Sequence, residues 1–184
     1  MLDEDTRPSA PEPDADVIFS RRGLAAGQHL IDVHDHYRAE LDQVRDLLAR
    51  VANGVTTAGQ ARGELNRLTI RANDWTLGGA CQLQCLALTE HHSTEDAAIF
   101  PHLGRSQLAL RDVLDLLETE HHAIHDVLDD IDAALIHLVQ HPADLGPVTE
   151  AIDLLTDTLL SHFAYEESEL AGPLARHGFY LGQL

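Results

Sequence analysis

The pattern that most constrains this chain is a set of apolar stripes at helical spacing, each holding a histidine. The longest is Leu114, Leu117, His121, Ile124, Leu128, Ile131, Leu135 and Leu138, in steps of three and four throughout. It predicts a helix from about Ser106 to Val139. Leu30, His34, Tyr37, Leu41, Val44, Leu48 and Val51 predict another from about Leu24 to Val51. A third starts near Asp74 and ends around Phe100–Gly104, where Pro101 and Gly104 punctuate. A fourth carries Ile152, Leu155, Leu159, His162, Glu166 and Leu170, with a stop expected at Ala171–Pro173. No segment alternates like a strand. The expected fold is all-α: an up-down-up-down four-helix bundle, with a short extra helix in the long connection between helices 1 and 2.

Around that core, residues 1–18 are acidic and proline-containing and predict a disordered tail. The domain is expected over 19–175, with a C-terminal tail at 176–184. Residues 1–17 lack the basic-then-apolar order of a secretion signal, and no apolar run suits a membrane span, so a cytoplasmic protein is expected. A formal charge of −19 offers no basic surface for nucleic acid or anionic membrane. Cys81 and Cys85, four apart, are expected to be packed thiols rather than a redox pair.

The histidines carry the chemistry. Residues four apart on a helix point the same way, so His91 with Glu95, His162 with Glu166 and His121 with His125 can each present two donors to one point. A lone histidine on an apolar stripe is ordinarily a hydrogen-bonded core residue. Here all four stripes carry one, and in an antiparallel bundle at ~1.5 Å per residue they share one level. Imidazoles and carboxylates gathered there would stay unpaired without a cation. Mixed imidazole and carboxylate donors without thiolate favour iron or manganese, with zinc possible. Too many candidates are present for one four-coordinate ion, and enough for two bridged by carboxylates.

The segments VHDHYRAEL (33–41), HHSTEDAAIFPHL (91–103), EHHAIHDVL (120–128) and HFAYEE (162–167) together resemble the hemerythrin family, in its bacterial hemerythrin-like, HHE cation-binding branch. The resemblance spans roughly residues 24–171 and implies a bundle holding two non-haem iron ions joined by an oxo or hydroxo bridge. It implies that His34 and His91 bind one iron, that His121, His125 and His162 bind the other, and that Glu95 and Glu166 bridge. Glu167 is the alternate to Glu166, and His36 the alternate to His34. His36, His92 and His122 lie off the stripes and are expected to face solvent or support the ligands. Tyr37 is a candidate catalytic donor, on the His34 seam.

The branch implies small-molecule partners (hydrogen peroxide, nitric oxide, O2) and an oxidoreductase of peroxidase, catalase-like or nitric oxide peroxidase type. Reversible binding or sensing of O2 or nitric oxide is the alternative, and iron handling without turnover the third. A homo-oligomer is compatible with the sequence.

Overall fold

The structure, a computed structural model, describes residues 2, 4–12, 18–55, 87–141 and 143–178. The expected start of helix 2 near Asp74, the short extra helix, Trp75, Cys81, Cys85 and residues 179–184 lie outside these. Four helices form the bundle: α1 (Arg21–Ala52), α2 (87–106), α3 (Arg111–Gln140) and α4 (Gly146–His177). No strand occurs among the described residues.

Neighbouring helices run antiparallel, as the cross-helix pairs show. His34 meets Glu166 while Arg45 meets Asp153 (α1 with α4). His162 meets Glu120 while His137 meets Asp144, the last residue pair at the α3–α4 connection.

Local chemistry sets the ends. The Ser20 hydroxyl accepts a hydrogen bond from Gly23 N, so α1 begins at Arg21, earlier than its apolar stripe. Gly54, at φ 66°, turns the chain out of α1. Inside α2, residues Glu95–Ile99 form a π turn, with Phe100 N donating to Glu95 O. A 3₁₀ turn, Leu108–Leu110, precedes α3. The expected stop at Ala171–Pro173 does not occur. The helix carries Pro173 internally and reaches His177, because Leu170, Leu174 and Ala175 beside the proline are buried.

The core is divided. One apolar cluster, including Leu41, Val44, Ile124, Ile131, Leu155 and Phe163, fills one end. Another, including Leu30, Phe100, Leu103, Leu117, Leu170 and Leu174, fills the other. Between them His34, His92, Glu95, Glu120, His121, His162 and Glu166 form a polar layer, none more than 3% exposed. The expectation of one level shared by four helices is met.

The expected tail behaves otherwise. Residues 4–10 lie against α3 and α4. Arg7 donates to Glu120 Oε1 at 2.9 Å and to Ser161 Oγ at 3.0 Å, and its guanidinium sits 4.7 Å from the centre of the Tyr165 ring. The Tyr165 hydroxyl donates to Pro8 O at 2.7 Å. Among the described residues of this segment, a composition that favours disorder is outweighed by one half-buried cation with specific partners.

Along α1 two glycines permit backbone contact with α4. A Cβ on Gly23 would stand 2.0 Å from Ala175 O, and one on Gly27 would stand 2.6 Å from Ala171 O. Neither backbone oxygen can turn aside. Gly27→Ala should therefore lower stability by about 1–3 kcal/mol, read as a drop in thermal midpoint. Gly172→Ala, in a helix and with nothing within 4 Å of the added carbon, should be neutral or stabilising. Equal loss in both would show that α1 and α4 are not held at this distance.

Candidate metal centre

The polar layer resolves into two groups of donor atoms. In the first, His34, His91, Glu95 and Glu166 place ligand atoms within 4.8 Å of one another. His34 Nε2 faces His91 Nε2 at 3.3 Å and Glu166 Oε2 at 3.3 Å, and His91 Nε2 stands 3.3 Å from Glu95 Oε1. In the second, His92, His121 and His162 do the same. The carboxylates reach across: Glu95 Oε2 lies 3.7 Å from His121 Nε2, and Glu166 Oε2 lies 3.5 Å from His162 Nε2. Glu95 and Glu166 thus stand between the groups, where bridging ligands belong.

These atoms are costly as they stand. Both nitrogens of His92, both oxygens of Glu95 and of Glu166, and Nε2 of His121 and His162 are buried without a hydrogen bond. Leaving such groups unmatched opposes folding strongly. Donors bound about 2.1 Å from a common ion stand roughly 3.0–3.5 Å apart at octahedral to tetrahedral angles. The separations of 3.3–3.5 Å fit that range and the 3.7 Å from Glu95 to His121 lies just beyond it, so the residues present suit bound cations.

The other face of the rings is spoken for. His34 Nδ1 donates to Glu167 Oε1 at 2.9 Å, His121 Nδ1 to Asp96 Oδ1 at 2.7 Å, and His162 Nδ1 to Glu120 Oε2 at 2.9 Å. Each bond fixes the tautomer that leaves Nε2 as a lone-pair donor. Two of the supporting acids are themselves anchored: Arg38 holds Glu167 at 2.8 Å, and Arg7 holds Glu120.

Electrostatics agree. Burial lowers the His91 pKa to about 4, and burial together with the imidazoles of His121 and His162 drives His92 lower still. Burial likewise lowers His162. All three are neutral near pH 7, as metal ligands must be. Burial, with Glu166 and Asp96 nearby, raises Glu95 well above the carboxylate range. Burial also pushes Glu166 upward, but the imidazoles of His34, His162 and His91 outweigh it and hold the acid low.

The sequence-derived candidates fare unequally. His34, His91, Glu95, His121, His162 and Glu166 come together at the centre. Glu167 supports His34 instead of joining the donor groups. His36 is exposed on the outside of α1, paired with Glu40 at 3.2 Å. His122 is exposed, its Nδ1 donating to Glu118 O at 2.8 Å. His125 lies outside both groups, with its ring 5.6 Å from that of His92. His92, expected off the seam, is fully buried and stacks on His121 at 4.0 Å.

The reason lies in helix geometry. Taking His91 as zero, Glu95 lies at about 40° and His92 at about 100° around the axis. Two histidines therefore flank Glu95, one toward each donor group. The signal was present as adjacent histidines three and four residues before a glutamate, and a single-file stripe conceals it. Tyr37 lies beside His91, ring centres 5.5 Å apart, but its hydroxyl donates to Ala87 O at 3.1 Å.

A cavity of about 700 Å3 opens between α1 and α2 and reaches His91, Glu95 and Glu166. His91 retains 14% side-chain exposure, against 1% or less for His34, Glu95 and Glu166. The first donor group faces this cavity. The second is closed, with Phe100 packed on His121.

The model of the hemerythrin HHE cation-binding domain matches residues 25–174, and the chain belongs to that family. No curated protein and no solved structure gives a significant match. The chain is therefore a four-helix cation-binding protein with a histidine and glutamate centre.

Two outcomes are expected. His92→Ala should lose metal from the second group, lowering content toward one ion per chain, whereas His125→Ala and His36→Ala should keep both. Loss with His125→Ala and retention with His92→Ala would restore the spacing read from the sequence. Cation loading should also release a proton from Glu95, whose raised pKa keeps it protonated in the metal-free protein toward neutral pH. Calorimetry in two buffers of different ionisation enthalpy should detect that proton, with affinity rising as pH rises. Identical heats in both buffers would show that no such proton is held.

Proposed function

We propose that this chain holds two iron ions bridged by Glu95 and Glu166 and turns over small oxidants, hydrogen peroxide or nitric oxide, at the ion on the cavity side. The observation that carries the reading is the asymmetry of the centre. One donor group lies against an apolar-walled cavity with a partly exposed ligand, while the other is sealed in the core.

When bound, iron supplies the electrons and an open coordination position for such an oxidant. The chain does the rest. His34 and His91 hold the cavity-side ion, and Glu167 orients His34. His92, His121 and His162 hold the buried ion, with Asp96 and Glu120 orienting the last two. Ala25, Ala26, Leu30 and Val33 give the approach an apolar wall that binds water weakly. Near the centre, Tyr37 has its pKa raised to about 12 by burial and by Glu95, so it keeps its proton throughout the physiological range. Serving as a donor requires that its hydroxyl leave Ala87 O.

Purified protein should contain about two irons per chain and consume hydrogen peroxide, or nitric oxide with peroxide, through many turnovers per centre. Tyr37→Phe should slow turnover without loss of iron if the hydroxyl moves to the substrate. Fewer than one turnover per centre, with reversible O2 binding by the reduced protein, would establish a carrier or sensor instead. One zinc and no iron would overturn the di-iron reading.

A further inference from the structure

The cavity is much larger than a small oxidant requires. Peroxide or nitric oxide needs a space on the order of one water's share of the liquid, about 30 Å3. The cavity holds about 700 Å3, within the range of sites for organic ligands. Its shape follows from its walls. On α1 the lining residues recur every three or four positions from Arg22 to Tyr37, and on α2 they do so from Ala87 to Glu95, with Ile99 beyond. Recurrence at that spacing marks one continuous face of each helix. The space is therefore a cleft along two antiparallel helices. From His34 back to Arg22 it extends about 18 Å at 1.5 Å per residue.

Its walls also differ from end to end. Polar groups gather at the centre, where His91, Glu95 and Glu166 enter. The middle is apolar, walled by Ala26, Leu30, Val33, Ile99 and Leu174. Alanines at 25 and 26 leave open the volume that a leucine would fill in a closed bundle. Ala25 and His29 are exposed and give an entry from solvent.

We propose that this cleft binds an elongated fatty-acyl molecule, its carboxylate or hydroperoxide end at the centre and its alkyl chain along the apolar wall toward Arg22. This deepens the oxidant reading and rests on it only for the chemistry of the polar end. With two divalent cations bound, Glu95 and Glu166 would leave the ligand set net positive, and one further acid of the lining, Glu90, would not reverse that sign, which favours an anionic end there. The alkyl chain is recognised by area alone, so affinity depends on chain length.

The test uses zinc-loaded full-length protein, which is redox-silent, with octanoate, decanoate and dodecanoate as calorimetric probes. Affinity should rise roughly fourfold per added methylene, and metal-free protein should bind dodecanoate at least tenfold more weakly. Ala26→Phe should weaken dodecanoate at least tenfold while metal content stays unchanged. Ala26→Leu is the milder variant should the phenylalanine disturb folding. A separate arm compares dodecyl hydroperoxide with dodecanoate: tighter binding of the hydroperoxide assigns the polar end to peroxide, and the reverse assigns it to carboxylate. Affinity independent of chain length, no binding at millimolar probe, or full binding by Ala26→Leu and Ala26→Phe would overturn the proposal. Failure to consume peroxide in the iron protein would count against the oxidant reading and leave the zinc measurements standing.

Discussion

The bundle depends on one unfavourable arrangement, in which imidazole nitrogens and two carboxylates are buried together without hydrogen bonds. Two apolar clusters flank this layer and hold it out of water. Without a cation, burial favours protonation of Glu95 beside Glu166, and neutrality of His91, His92 and His162. Both reduce charge repulsion, and neither supplies partners for the orphaned atoms. Cations at the two donor groups would give partners to carboxylate oxygens of Glu95 and Glu166 and to one nitrogen of each ligand imidazole, so the fold and the metal are coupled.

That coupling explains the anionic ring around the centre. Glu167, Asp96 and Glu120 each take the outer nitrogen of one ligand histidine. A carboxylate there makes the imidazole a better donor and prevents it from turning. It also concentrates around the centre part of the chain's formal −19. Arg38 and Arg7 offset this where it matters, at Glu167 and Glu120. The N-terminal segment is held for the same reason: Arg7 completes a chain from the surface through Glu120 to His162.

Much of this was legible in the sequence, because helical periodicity governs both burial and ligand direction. His34, His91, His121 and His162 stand on apolar stripes, and Glu95 and Glu166 follow their histidines by one turn. What periodicity conceals is the width of a site for two ions. A stripe describes contact with one neighbouring helix, whereas α2 must serve two donor groups with one acid between them. His92 is thus seen only when the inward arc is allowed about 100°. His125 shares the direction of His121 yet lies outside both donor groups, since a spacing of four shows shared direction but not reach. Arg7 could not be found this way, as no period links a tail residue to a glutamate 113 positions on. The end of α4 was misjudged because proline disfavours helix locally, while burial of Leu170 and Leu174 is a tertiary effect.

The same forces decide where the centre can be approached. Between α1 and α4 the backbones touch at Gly23 and Gly27, leaving no room for any side chain to swing aside. Between α3 and α4 the buried His162–Glu120 bond, locked by Arg7, closes the layer from the other side. Phe100 covers His121 where α2 meets α3. Between α1 and α2 small residues leave space beside the ligands, and among the described residues His91 is the ligand that meets it. Rigidity on three sides keeps the donor atoms at cation-binding separations. The fourth side can therefore stay open without loosening the centre, since bound cations would hold Glu95 and His91 to their partners.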